Sequence, residues 1–169
     1  MNKVLTLLFI ILSFHFAIGQ TEDYKVYLLE QSLPSDYSGI LKDLNLDTKY
    51  ELSGFMNPFY LVGDFNGDQI EDIAITIKEI DSGKLGFIII DSKLKEYNII
   101  GAGQSIGNGG DDFSWLDIWK IYDKDIIEPG VGESETIILK NKAIYVIKAE
   151  SASAVIYWTG KEYKWVSTR

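Results

Sequence analysis

Four oxygen-bearing side chains, Asp64, Asn66, Asp68 and Asp72, lie within the segment Gly63-Asp64-Phe65-Asn66-Gly67-Asp68-Gln69-Ile70-Glu71-Asp72. Three fall at alternate positions and the fourth follows after a gap. A tight turn with that spacing can aim several hard oxygen ligands at one centre, which is what Ca²⁺ requires. Counted from Asp64, the loop offers Asp at position 1, Asn at 3, Asp at 5, the backbone carbonyl of Ile70 at 7 and Asp72 at 9. Oxygen-only donors disfavour zinc and copper, and Mg²⁺ prefers a smaller, more hydrated octahedron. Without metal, the same residue types bond their own backbone amides as Asx turns. Three carboxylates so close together would then repel one another.

Little else in the chain is equipped for chemistry. The single histidine is His15, and there is no cysteine. Residues 1–19 read as a secretory signal: Lys3 is the charged start, Val4 to Leu12 the apolar stretch, and Ala17-Ile18-Gly19 a small-x-small cleavage site. The apolar run is shorter than the ~20 residues of a membrane-spanning helix. Cleavage would leave residues 20–169 without imidazole or thiol. Ser–His triads, cysteine nucleophiles, imidazole-held zinc and lipidated-cysteine anchoring are then excluded. The expected location is periplasmic or secreted, with no membrane association after cleavage.

Losing Lys3 moves the formal charge from −9 to −10. Such a surface repels nucleic acid and anionic lipid and favours cations or basic partners. Residues 20–169 are enough for one domain with its own core, which must be held by burial, and by metal if present, without disulfides.

The elements around the loop read as α+β, a predominantly antiparallel sheet after one or two short N-terminal helices. Helices are expected at 23–32, stopped by Pro34, and at 36–45, where Ser35 can cap. Strand character begins near Phe59. Ile73, Ile75 and Ile77 alternate with Ala74, Thr76 and Lys78 as in a half-buried strand. Further strands are expected at 85–90, 97–100, 115–122, 136–139, 143–148, 154–158 and 163–166. Asp81-Ser82-Gly83-Lys84 reads as a turn, and Asn141-Lys142 and Gly160-Lys161 as hairpin turns, the latter type II′.

With strands on both sides, the acidic loop resembles the calcium loops of FG-GAP and VCBS-type repeats, found in integrin α-chain propellers and many secreted bacterial proteins. Their pattern, Asp-x-Asp/Asn-x-Asp-Gly-x-x-Asp, leads into an apolar strand. Asp64, Asn66, Asp68 and Asp72 match the ligand positions, and Ile73-Ala74-Ile75 the strand. The likeness covers Tyr60 to Ile77 and implies a structural Ca²⁺. An EF-hand fits less well, since its position 12 is a bidentate Glu and here Ile75 stands there. Position 6 departs from both families, with Gln69 in place of a Gly that would take positive φ without steric cost. No second Asp-x-Asn-x-Asp occurs in residues 73–169, which argues against a propeller in one chain.

Three other groupings carry two readings each. Asp111-Asp112 follows the glycine-rich stretch 101–110 and is either a sugar- or cation-binding loop or a mobile surface loop. Asp111 with Glu133 or Glu135 could form a glycosidase-like carboxylate pair. The hairpin aromatics Trp158, Tyr163 and Trp165, with Trp115 and Trp119, are core packing or a platform for sugar rings. Together these features point to an exported, non-enzymatic binding or accessory domain with a protein or glycan partner. An acidic inhibitor or immunity-type protein and a carboxylate-based hydrolase are the alternatives.

Overall fold

The computed structural model describes residues 23–128, 130 and 136–168. Residues 1–19, expected to be a secretory signal, and Glu133 and Glu135 lie outside them. Residues 23–32 form helix α1. The second expected helix is broken: Ser35–Tyr37 is a 3-10 turn, and α2 is only Ile40–Asp43. Gly39 between them takes φ +73°, a left-handed conformation that interrupts a continuous right-handed helix.

Among the described residues eleven strands follow: β1 (Tyr50–Leu52), β2 (Tyr60–Gly63), β3 (Asp72–Glu79), β4 (Leu85–Ile90), β5 (Tyr97–Gly101), β6 (Ile118–Tyr122), β7 (Ile126–Ile127), β8 (Ile137–Ile138), β9 (Ala143–Lys148), β10 (Ala152–Trp158) and β11 (Tyr163–Ser167). Every pairing among them is antiparallel. The fold is α+β and mainly β. One sheet runs β1-β3-β4-β5, with β2 also on β3; the other runs β11-β10-β9-β6; β7 and β8 form a small ribbon.

The two larger sheets face each other. Ala74, Phe87 and Ile89 of the first pack with Trp119, Ile144, Val146, Ala154 and Ile156 of the second. On the outer face of the first sheet, Ile73, Ile75, Ile77, Ile88 and Ile90 meet Leu33, Ile40 and Leu41 of the helical start. β3 is therefore buried on both faces through Ile77, not half-buried. Its alternating Ile and Ala/Thr fill two cores, and each fully buried Ile contributes about 1.5–3 kcal/mol. On the second sheet's outer face, Ile127 of the ribbon packs with Tyr122, Ala143, Val155 and Val166.

β1 and β2 share one edge of β3, β1 pairing at 77–79 and β2 at 72–75. At the junction the buried Thr76 hydroxyl donates to the carbonyls of Ser53 and Phe59. The Thr76 main chain joins the same junction, its N–H donating to Phe59 O and its carbonyl accepting from Ser53 N.

Two expected turns are present. Gly83 (φ +73°) turns β3 into β4, and Thr159 N donates to Glu162 O across Gly160-Lys161. The second turn sets Trp158 opposite Tyr163 and Ile156 opposite Trp165. The third is different. Asn141-Lys142 does not close a hairpin, because β8 pairs with β7 while β9 lies between β6 and β10. These two residues dock on the acidic loop.

Candidate functional site: the loop between β2 and β3

The loop is anchored from beneath. Phe65, 1% exposed, inserts into the core between the two sheets. Its neighbours Asp64 and Asn66 are thereby held at the surface, as alternation dictates. Asp72 opens β3 and is also only 1% exposed. Its Oδ2 accepts hydrogen bonds from Phe65 N (3.0 Å) and Asn66 N (3.2 Å), and Oδ1 accepts one from Ser92 N (3.3 Å). One carboxylate thus joins the start of the loop to the turn between β4 and β5.

The other side chains bond within the loop. Asp64 accepts from Gly67 N (2.6 Å) and Gln69 N (3.0 Å), Asn66 Oδ1 from Asp68 N (2.9 Å), and Asp68 Oδ1 from Ile70 N (2.9 Å). Gly67 lies at φ +85° and Gln69 at φ +70°. The backbone at position 6 therefore takes the left-handed form that the motif's Gly supplies, with a glutamine in it. Replacing Gln69 by Gly is expected to raise stability by about 0.5–1 kcal/mol, because relief of that strain outweighs the added freedom of the unfolded chain. Urea denaturation should show a higher midpoint with an unchanged slope.

Two partners were invisible in the sequence. Asp91, far away in the chain, accepts from Asn66 Nδ2 (2.8 Å) and, through its other oxygen, from Lys93 N (2.8 Å) and Leu94 N (2.7 Å). Asn141 Nδ2 donates to Phe65 O, and Lys142 N donates to Asp64 O (2.9 Å). Asp91 does sit at a Asp-Ser turn, itself a capping signal, but nothing in the spacing says which loop it meets.

Electrostatically the site is lopsided. Asp64, Asp68, Asp72 and Asp91 gather there, and Lys93 Nζ stands 3.4 Å from Asp68 Oδ2. Burial pushes the Asp72 carboxyl up to about 6; the amides of Ser92, Phe65 and Asn66 oppose the rise, and the charge of Asp91 adds to it. Tyr163 overlooks the same charges. Burial, then Asp72, Asp91 and Asp64, hold its hydroxyl well above the usual phenol range.

The all-oxygen donor set of Asp64, Asn66, Asp68, the Ile70 carbonyl and Asp72 suits a hard cation in its chemistry. In this structure those side-chain oxygens face main-chain amides, apart from Asp68 Oδ2, which faces Lys93. Among the described residues no group of three or more acidic, His or Cys side chains is arranged to hold a metal ion.

The other candidates are structural in their contacts. Asp111 pairs with Lys84. Asp112 accepts from Leu85 N, Ser114 N and the Ser114 hydroxyl. Burial works to raise the Asp112 pKa, but those donors and the nearby Lys84 outweigh it and leave the carboxyl below its ordinary value. The glycine-rich stretch is packed and not a loose loop. Gly109 is buried, and a Cβ on Gly107 or Gly109 would come within 2.6 or 2.5 Å of Trp165. Trp115 Nε1 donates to Gly109 O (3.2 Å) and Trp119 Nε1 to Pro58 O (2.6 Å), so these two tryptophans are part of the packing.

Comparison with protein-family models, curated proteins and solved structures gives no match to this chain.

Proposed function

We propose that the chain is an exported, non-enzymatic binding or accessory domain in which the 64–72 loop takes Ca²⁺ as a structural ion. The observation that supports the ion is Asp72: a carboxylate 1% exposed, beside Asp91 and the loop's other acids, with burial opposing its charge. Asp64, Asn66 and Asp68 side chains, the Ile70 carbonyl and Asp72 are the residues that would hold it. The ion would supply positive charge where the fold has gathered carboxylates. Its effect would spread through the contacts already made, to Ser92 between β4 and β5 and to Asn141-Lys142 before β9.

The test is thermal unfolding in EDTA and in millimolar Ca²⁺. At Ca²⁺ near one hundred times Kd, mass action adds about 2.7 kcal/mol, which raises Tm by about 5–10 °C in a domain of this size. The same Tm in both buffers would remove the metal from the account.

A further inference from the structure

We propose that the cleft beside this loop is a carbohydrate subsite, with Trp158 as its platform and Asn98 and the loop's acids as its polar wall. This deepens the binding-domain reading and rests on it, though not on the ion. The cleft has a volume of about 310 Å³, within the range of small-ligand sites. Trp158 and Tyr163 form one side, paired across the β10–β11 hairpin with ring centroids 4.9 Å apart. Asp68, Asp91, Glu96 and Asn98 stand around them, with Lys93 the only cation of the wall among the described residues.

The hydrogen-bond inventory selects the ligand class. Trp115, Trp119 and Trp165 each donate their indole N–H to a protein acceptor. Trp158, half-buried at the cleft, has no acceptor for its indole N–H among the described residues. The Tyr163 hydroxyl and the exposed Asn98 amide also have no protein partner there. The wall thus offers unused donors beside the carboxylate of Glu96, which has no partner among the described residues.

A basic side chain or amine carries donors alone and would leave the indole N–H unmet. A phosphate or carboxylate ligand would face the acids. A sugar ring meets both demands: each hydroxyl donates and accepts, and the apolar face of the ring lies on an indole.

The probes are glucose, galactose, mannose and N-acetylglucosamine with their short oligomers, and separately a lysine- and arginine-rich peptide. They are added at millimolar concentration to nitrogen-15-labelled protein, in Ca²⁺ and in EDTA. The expected result is that one or more sugars move the Trp158 indole N–H resonance, identified by its loss in Trp158→Phe. The other indole resonances should stay in place. Trp158→Ala should weaken binding at least tenfold. Asn98→Ala, an exposed change that spares the core, should weaken it severalfold with the fold intact. The proposal is overturned if no sugar moves that resonance, if only the basic peptide does, or if Asn98→Ala and Trp158→Ala bind as the parent does. Peptide binding alone would leave the binding-domain reading standing. The Ca²⁺ reading is judged separately by the melting comparison.

Discussion

Gly86→Ala is expected to cost about 4 kcal/mol or more and to leave much of the protein unfolded at 37 °C. Gly86 sits in β4 directly opposite Gly101 of β5. A Cβ there would lie 2.3 Å from Ile100 O, 2.4 Å from Ala102 N and 2.6 Å from Gly101 C. All three are main-chain atoms, so no side chain can rotate to make room. The backbone is pinned there because Leu85 O accepts from both Ala102 N and Phe113 N, while Gly101 and Gln104 exchange hydrogen bonds across a tight turn. Admitting one methyl group would require parting β4 from β5 at the place where the chain crosses toward the second sheet. Circular dichroism and urea denaturation check this. Gly160→Ala, at a turn with open space around the Cβ position, is the comparison and should lose far less, chiefly through its φ of +93°.

The second large effect is at Asp72. Asp72→Ala removes the acceptor for the Phe65, Asn66 and Ser92 amides together. Stranding these donors, one of them in a buried residue, should cost about 3–4 kcal/mol. Asp72→Asn keeps one acceptor oxygen and should cost about 1–2 kcal/mol, its amide group now opposing one of the N–H donors.

The same substitution isolates a pH dependence. With its pKa pushed up to about 6, the folded Asp72 holds its proton over a range in which the unfolded one, near 3.9, has lost it. The folded state binds more protons there, so stability falls as pH rises. Measured in EDTA as the difference from Asp72→Asn, that contribution is fully present below about pH 4. It should decline by about 3 kcal/mol as the pH passes 6. Saturating Ca²⁺ should reverse the slope, because a cation at the carboxylate favours the ionised form. A slope that does not change with Ca²⁺ would mean that no ion reaches Asp72.

The architecture was legible where local pattern and burial agree. The bounds of α1, β4 and β9 and the register of the β10–β11 hairpin follow from periodicity and from one glycine turn. The acidic loop was legible as well, including the backbone demand at Gln69, because it is written in consecutive residues. Long-range partnership was not. Asn141-Lys142 has the residue types of a hairpin turn, and only the three-dimensional position of Phe65 O and Asp64 O explains why it serves the loop instead. β1 and β7 escaped notice because strands of three and two residues carry too few side chains to display a period. Glycines 107 and 109 looked like slack chain, whereas they are places where an indole lies against the backbone.

Each large sheet is drawn from its own stretch of the chain, β1–β5 from residues 50–101 and β6 with β9–β11 from 118–167, the β7–β8 ribbon lying between β6 and β9. Most pairings join neighbours in sequence, so each stretch can assemble through short loop closures before it meets the other. What remains for the end is the meeting itself: Phe65 entering the shared core and Asn141 reaching its carbonyl. Contacts made that late add little to the speed of folding. They act on the rate of escape, so a fastener at residues 64–72 lengthens the lifetime of the native state more than it hastens arrival there.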